Sequence, residues 1–133
     1  DLDKSHFFGA TISKVMKAEK KIKIWGKGLE KRDMLYVDDL CNFVNKAIKL
    51  QKKNYEIYNC GYGKAFSVIS IIKKIIKISG KKLKISYDLT KPSIQTSLSL
   101  NCQKAKRELN WTNKTSLETG IKKTIDWYKK NIK

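Results

Sequence analysis

Lys21-Ile22-Lys23-Ile24-Trp25-Gly26-Lys27-Gly28, with Lys31-Arg32-Asp33-Met34-Leu35-Tyr36-Val37-Asp38-Asp39-Leu40 close behind it, is the stretch that decides the fold. Its first five residues alternate lysine with an apolar side chain, the period-two pattern of a half-buried strand. Gly26 and Gly28 break the pattern into a loop. Met34 to Val37 then reads as a short extended apolar stretch. Asp38 is placed to cap the helix that follows, whose apolar positions Leu40, Val44, Ala47 and Ile48 recur at helical spacing. Strand, glycine turn and helix in succession point to an α/β domain.

The same alternation of elements extends outward in both directions. Upstream, residues 5–19 form a predicted helix with Phe8, Ile12, Val15 and Met16 on one stripe. Downstream, Tyr55 to Cys60 reads as a short strand ending in Gly61-Tyr62-Gly63. Ser67 caps a helix with the face Val68, Ile71, Ile72, Ile75 and Ile76, and Gly80 stands at its left-handed C-terminal cap. Lys82 to Tyr87 alternates as a third strand. Past Pro92, Asn101 caps a short helix with Ala105 and Leu109 inward. Thr115-Ser116-Leu117-Glu118 supplies a capping box for a last helix with the stripe Leu117, Ile121, Ile125 and Tyr128. No repeat or low-complexity linker interrupts the pattern, so residues 1–133 are expected to form a single domain.

The 133 residues, 41% of them hydrophobic, suffice for one modest core. The longest apolar run, Val68 to Ile78, is broken by Ser70, Lys73, Lys74 and Lys77, so no membrane span is expected. The chain begins at Asp1 and lacks a basic-then-apolar leader, which fits a cytoplasmic protein read as a truncated frame or an excised domain. Cys41, Cys60 and Cys102 are odd in number, widely separated and without metal-ligand spacing. They are expected as small buried apolar residues, with no disulfide framework and no metal site.

A net charge of +18 raises the question of nucleic acids. Yet 28 of the 30 basic residues are lysine, and Arg32 and Arg107 are the two arginines. Arginine supplies the planar fork that grips phosphates and base edges. Weak, salt-sensitive adhesion to polyanions is expected, and a nucleic-acid-binding protein is a reading that rests on charge alone.

Two groups of residues invite chemistry. An aromatic ring at Trp25 and a guanidinium at Arg32 suit a nucleoside diphosphate, the ring against the base and the arginine on phosphate oxygens. Equally, Trp25 reads as a core residue and Arg32 as the ion-pair partner of Asp33 or Glu30. His6, the single histidine, reads either as a proton donor and acceptor or as a surface or cap residue. Lys14 falls two turns further along the same helix. Neither Asp38 nor Asp39 is given a catalytic role.

The chain from Trp25 to Leu40 resembles the W-G-x-G-x-x-x-R-D-x-x-x-V-D-D-L pattern of extended short-chain dehydrogenases, the NAD-dependent epimerases and dehydratases. Further segments follow in family order: Tyr58-Asn59-Cys60-Gly61-Tyr62-Gly63, Lys91-Pro92, Lys104-Ala105-Lys106-Arg107-Glu108-Leu109-Asn110-Trp111, and Ser116-Leu117-Glu118-Thr119-Gly120-Ile121 with Trp127. The Ser5-His6 start, the Trp25 loop and the Lys91-Pro92 loop are most similar to GDP-fucose synthases. Departures are Gly9 for a proline, Thr11 for a leucine, Asn110 for a glycine, Asn101 for an aspartate, and Ile94 for a frequent glycine.

The resemblance implies the C-terminal, substrate-binding portion of such an enzyme, with helices and short strands and without its dinucleotide-binding (Rossmann) half. It implies His6 as the catalytic acid/base and Lys14, Trp25, Arg32 and Lys91 as substrate-binding residues. The partners implied are a nucleoside-diphosphate sugar and the missing Rossmann half, in a homodimeric parent enzyme that uses NAD or NADP. This chain alone is expected to bind no cofactor. Its Gly26-x-Gly28 has no following glycine or helix start at the spacing a pyrophosphate loop needs. A non-catalytic module that partners a separate Rossmann chain is the other reading of the same residues.

Overall fold

Alternation at Lys21–Trp25 becomes strand β1, with Ile22 and Ile24 buried and Lys21, Lys23 and Trp25 on the outer face. The computed structural model describes residues 6–91 and 96–132. Around β1 the order is α1 (Phe7–Lys17), β2 (Lys31–Asp33), α2 (Val37–Leu50), β3 (Ala65–Ser67), α3 (Val68–Ser79), β4 (Lys84–Asp88), α4 (Gln103–Leu109) and α5 (Leu117–Asn131). The fold is mixed α/β, as the sequence pattern implies. Two compact units are drawn from alternating segments. One holds the described residues up to Glu30, those from Ser67 to Lys91 and those from Glu118 onward; the other holds Lys31–Phe66 and Thr96–Leu117.

In the first unit β1 pairs in parallel with β4, in a register that runs from Lys21↔Lys84 to Trp25↔Asp88. Parallel neighbours need a crossover, and the intervening chain contains α3. Its face Val68, Ile71, Ile72 and Ile75 is buried, as the spacing predicts. The Ser67 hydroxyl accepts from Ser70 N at 3.3 Å at its start. Gly80 ends it with φ +77°, a left-handed conformation that costs glycine nothing. Ile12 and Val15 of α1 and Ile121, Ile125 and Tyr128 of α5 are also buried. Inside the unit the Tyr128 hydroxyl meets Ser13 Oγ at 3.4 Å.

The second unit is built on a smaller core. Ala105, Leu109 and Trp111 are buried, with Leu35, Phe43, Ala47, Tyr58, Cys60 and Cys102 packed against them. Phe43 meets the Trp111 ring edge-on at 5.3 Å between centroids and the Tyr58 ring at 6.4 Å. Such arrangements add to simple burial through the ring quadrupoles.

Several local expectations are corrected here. Strand β2 is Lys31–Asp33, and the apolar residues Met34 and Leu35 follow it instead of forming it. The N-cap position of α2 is Tyr36; Asp38 lies in the first turn, where its charge favours the helix macrodipole. Residues 55–60 belong to no strand, because a strand needs a hydrogen-bonded neighbour and the ladder in this region goes to β2 and β3. The N-cap position of α4 is Cys102, while the Asn101 carboxamide oxygen accepts from Gln103 N at 3.0 Å. Leu40, Val44 and Ile48 of the expected inward stripe are exposed, and the covered side of α2 is Phe43 and Ala47. Cys41 is exposed too, whereas Cys60 and Cys102 are half-buried. Among the described residues, no helix is long and apolar enough to cross a membrane.

Candidate functional site

Helix α1 and strand β1 position one cationic cleft within the first unit. The outward face of β1 carries Lys21, Lys23 and Trp25, because strict alternation sends Ile22 and Ile24 the other way. Helix α1 carries Lys14 and Lys17 in its last turn, where positive charge is favoured by the helix dipole. These five residues, with Ala10, Ser13, Ala18 and Ile22, line an open cleft of about 750 Å³. Trp25 is 62% exposed, which corrects the reading of it as a core residue. The Lys91 ammonium lies 5.6 Å from the centre of the Trp25 ring, a cation–π contact. Pro92 and Ile94 lie outside the described residues, as does Ser5.

Charge in this cleft is only partly neutralised. Lys23 Nζ pairs with Asp88 at 3.0 Å. The Thr90 hydroxyl and then Lys23 hold the Asp88 carboxyl below its usual range. An open, lysine-lined groove with an aromatic face at one end can hold a polyanionic ligand that also has a flat ring.

Thus Lys14 and Trp25 share the lining and Lys91 lies beside the Trp25 ring without lining the cleft, and two other expected residues are not part of the lining. His6 is exposed at the N-cap position of α1 and makes no side-chain capping bond; the cleft lining does not include it. Arg32 is exposed on β2, in the second unit. Lys17, Lys21 and Lys23 were missed by motif reading. The alternation that identified β1 already places Lys21 and Lys23 on the Trp25 face.

The acidic residues of the motif have structural employment in the second unit. Asp33 Oδ1 accepts from Tyr62 N at 2.6 Å, and Oδ2 accepts from Gly63 N at 3.0 Å and Leu100 N at 3.1 Å. Its carboxylate is therefore occupied by backbone donors. Buried Asp39 accepts from Lys114 N at 3.1 Å and Thr115 N at 2.9 Å, and its carbonyl accepts from Trp111 Nε1 at 3.1 Å. These bonds join segments that are 29 to 76 residues apart in sequence. Burial pushes the Cys60 thiol up to about 11, and burial likewise raises that of Cys102.

The glycines of the Trp25 turn do not fit a dinucleotide. A Cβ at Gly28 would lie 3.1 Å from Ile69 N and 3.2 Å from Ile69 Cβ, so this glycine serves close packing of the turn on α3. The first amides of α3 are already used: Val68 N donates to Glu30 O and Ile69 N to Gly28 O, both at 2.9 Å. A pyrophosphate site needs such amides open. No hydride-transfer step is therefore assigned to residues of this turn.

Residues 5–124 match the family model of GDP-mannose 4,6 dehydratases. The UDP-glucuronate 4-epimerase of Thermodesulfobacterium geofontis is 38% identical over 86% of this chain, and the GDP-L-colitose synthase of Yersinia pseudotuberculosis is 32% identical over 96%. The chain spans 35% and 42% of those two proteins. Among solved structures, the UDP-glucose 4-epimerase of Thermotoga maritima, crystallised with UDP-glucose, superposes with a TM-score of 0.77 at 30% identity, over 92% of this chain and 38% of that one. The dTDP-glucose 4,6-dehydratase of Bacillus anthracis, in complex with NAD, gives 0.76 at 27%, over 95% and 40%. With its motifs in order and the family match covering most of its length, this chain belongs to the GDP-mannose 4,6 dehydratase family, among the NAD-dependent epimerases and dehydratases of the extended short-chain dehydrogenase type.

Proposed function

We propose that this chain is the nucleotide-sugar-binding portion of an NAD(P)-dependent sugar-nucleotide epimerase, dehydratase or reductase, similar in kind to a GDP-fucose synthase. The observation that carries the reading is the cleft lined by Lys14, Lys17, Lys21 and Lys23 together with Trp25. A nucleoside diphosphate combines a flat base with two charged phosphates, and this lining offers a ring and several ammonium groups to match. In the proposal Trp25 flanks the base, Lys91 adds charge beside its ring, and Lys14 faces the phosphates. Arg32 is proposed as a further phosphate ligand, and His6 as the acid/base group beside the sugar, from their places in the motif. The parent enzyme supplies the cofactor and its binding half, and is proposed to be cytoplasmic and homodimeric.

Calorimetric titration of the chain with GDP- and UDP-sugars tests the reading. Loss of one charge-assisted contact costs about 1.5–3 kcal/mol, so Lys14→Ala is expected to weaken binding roughly tenfold or more. Trp25→Ala is expected to weaken it as well, while Lys129→Ala, which is not part of the lining, leaves it unchanged. Equal losses for all three variants would return the cleft to unspecific charge attraction. Arg32→Ala with unchanged affinity for both sugars would remove Arg32 from the site.

A further inference from the structure

Trp25 and Lys91 meet by two side chains that nothing local holds in place. The indole is 62% exposed, and a lysine stem has four rotatable carbons. A cation–π contact needs the ammonium within about 6 Å of the ring centre, and Lys91 Nζ lies at 5.6 Å. Something must aim the chain that carries Lys91 at the ring.

Asp88, the last residue of β4, is the group placed to do so, and all three of its oxygens are engaged. Its backbone carbonyl accepts from Gly26 N at 2.9 Å, which fastens the turn directly after Trp25. In the sheet it stands opposite Trp25 in the final rung. Its Oδ1 accepts from Thr90 N at 3.2 Å and from the Thr90 hydroxyl at 2.6 Å. A carboxylate bonded to the amide two residues on turns the chain sharply, so the backbone leaves β4 bent just before Lys91. Its Oδ2 pairs with Lys23 at 3.0 Å, and strand alternation puts Lys23 on the same face of β1 as Trp25. One side chain thus ties the strand of Trp25, the turn after it and the segment of Lys91.

Charge alone gives no reason for a carboxylate here. It neutralises one lysine of a cleft otherwise rich in positive charge, and its field opposes any anion that enters. Nor does it offer itself to a ligand: its side chain is 14% exposed and is not part of the lining. A group that disfavours the ligand by its charge, and sits where the positioning bonds meet, acts through geometry.

We propose that Asp88 is a positioning residue of the cleft, which by joining Lys23, the Trp25 turn and the Thr90 turn holds the Lys91 ammonium over the Trp25 ring and so fixes the ring for a flat base. Its benefit to a nucleoside diphosphate rests on the function proposed above; its hold on Lys91 does not. An indole fixed beforehand loses less freedom when a base stacks on it, which is the gain from preorganisation.

The test first reads Trp25 without ligand. The chain has three tryptophans, and in the ¹⁵N-labelled chain the Trp25 indole N–H resonance is the one that Trp25→Phe removes. Lys91→Met takes the ammonium off the ring and sets the direction of shift that loss of the contact produces. Asp88→Ala is expected to move the resonance the same way, and to lose most of that effect in the Lys91→Met background. Thr90→Val keeps Asp88 and removes the hydroxyl, and a smaller shift in the same direction is expected even if Asp88→Ala does not fold. The resonances of Trp127, in the same unit, and of Trp111 are expected to stay in place. A Trp25 resonance unmoved by Thr90→Val and Asp88→Ala overturns the proposal. An undiminished Asp88→Ala shift in the Lys91→Met background also overturns it, because Asp88 would then act without Lys91.

Titration with GDP and UDP reads the consequence for binding. Loss of a negative charge favours an anion, so charge alone predicts tighter binding by Asp88→Ala, whereas loss of positioning predicts binding roughly three- to tenfold weaker. Equal or tighter binding overturns the proposal. A parent chain that binds neither nucleotide overturns the proposed function instead, and the Trp25 resonance still decides whether Asp88 holds Lys91, so the two readings fail separately.

Discussion

The first unit is held by aliphatic burial and the second by hydrogen bonds around a small aromatic cluster. Ile71, Ile72 and Ile75 of α3 and Ile121 and Ile125 of α5 are almost wholly removed from water, and the β1–β4 pair has the inner isoleucines of β1 buried. In the second unit three residues are fully buried, and two aspartates tie its loops by their backbone amides. A core of interlocking isoleucines is stabilised by many interchangeable contacts. A small core with few buried residues concentrates its stability in single side chains. The second unit is also where large apolar residues of α2 stay exposed, consistent with a region completed by something else.

The largest effect that tests this contrast is expected from Trp111→Ala. The indole is buried at the centre of the second unit, touches Phe43 and donates to the Asp39 carbonyl. Truncation of such a ring costs about 3–5 kcal/mol, and urea denaturation of variant and parent chains measures it. A loss below about 1.5 kcal/mol would break the comparison, because the cluster would then not be centred on Trp111.

The aspartates come next. In Asp39→Asn one of the two amides now bonded to the carboxylate faces an NH₂ group, leaving a donor against a donor in a buried place. The expected cost is about 1–3 kcal/mol. Asp33→Asn is expected to cost less, since Asp33 is only half-buried and water can replace part of what is lost. The order Asp39 above Asp33 is the outcome to check, again by urea denaturation. The reverse order would mean that burial does not set the strength of these bonds.

Features decided within a few residues were legible in the sequence. The β1 alternation, the α3 face, the Gly80 cap and the buried stripe of α5 all follow from period and cap chemistry. Features that depend on distant partners were not. Asp33 and Asp39 stand in the motif beside Arg32 and Asp38, and nothing local says that their oxygens serve amides at Leu100 and Thr115. The stripe of α2 was legible as apolar, but periodicity identifies an apolar face without saying which neighbour covers it. Tyr55–Cys60 has the composition of a strand and lacks the neighbour that would make it one. At the candidate site, Lys14, Trp25 and Lys91 follow from the family motif, while Lys17, Lys21 and Lys23 needed only the geometry of α1 and β1.

The smallest expected effect concerns Asn110, which ends α4 with φ +46° and ψ +40°, in the left-handed region. The sequence departs from its family here, with asparagine where glycine is common. Asparagine tolerates this conformation better than other side-chain-bearing residues, yet its Cβ still crowds the backbone. Glycine removes the crowding but loses more freedom on folding, so Asn110→Gly is expected to gain only about 0.5 kcal/mol. For a chain of this size that is about 2 °C in melting temperature. The backbone carbonyl that accepts from Lys46 Nζ survives the change, so no bond is lost to offset the gain. Asn110→Ala is expected to move the other way by about 1 kcal/mol, since alanine meets the left-handed penalty without asparagine's local compensation. Differential scanning calorimetry of the pair decides it. If alanine matches or exceeds glycine, the positive φ at Asn110 is not what limits this turn, and the second unit's stability rests still more heavily on Trp111 and Asp39.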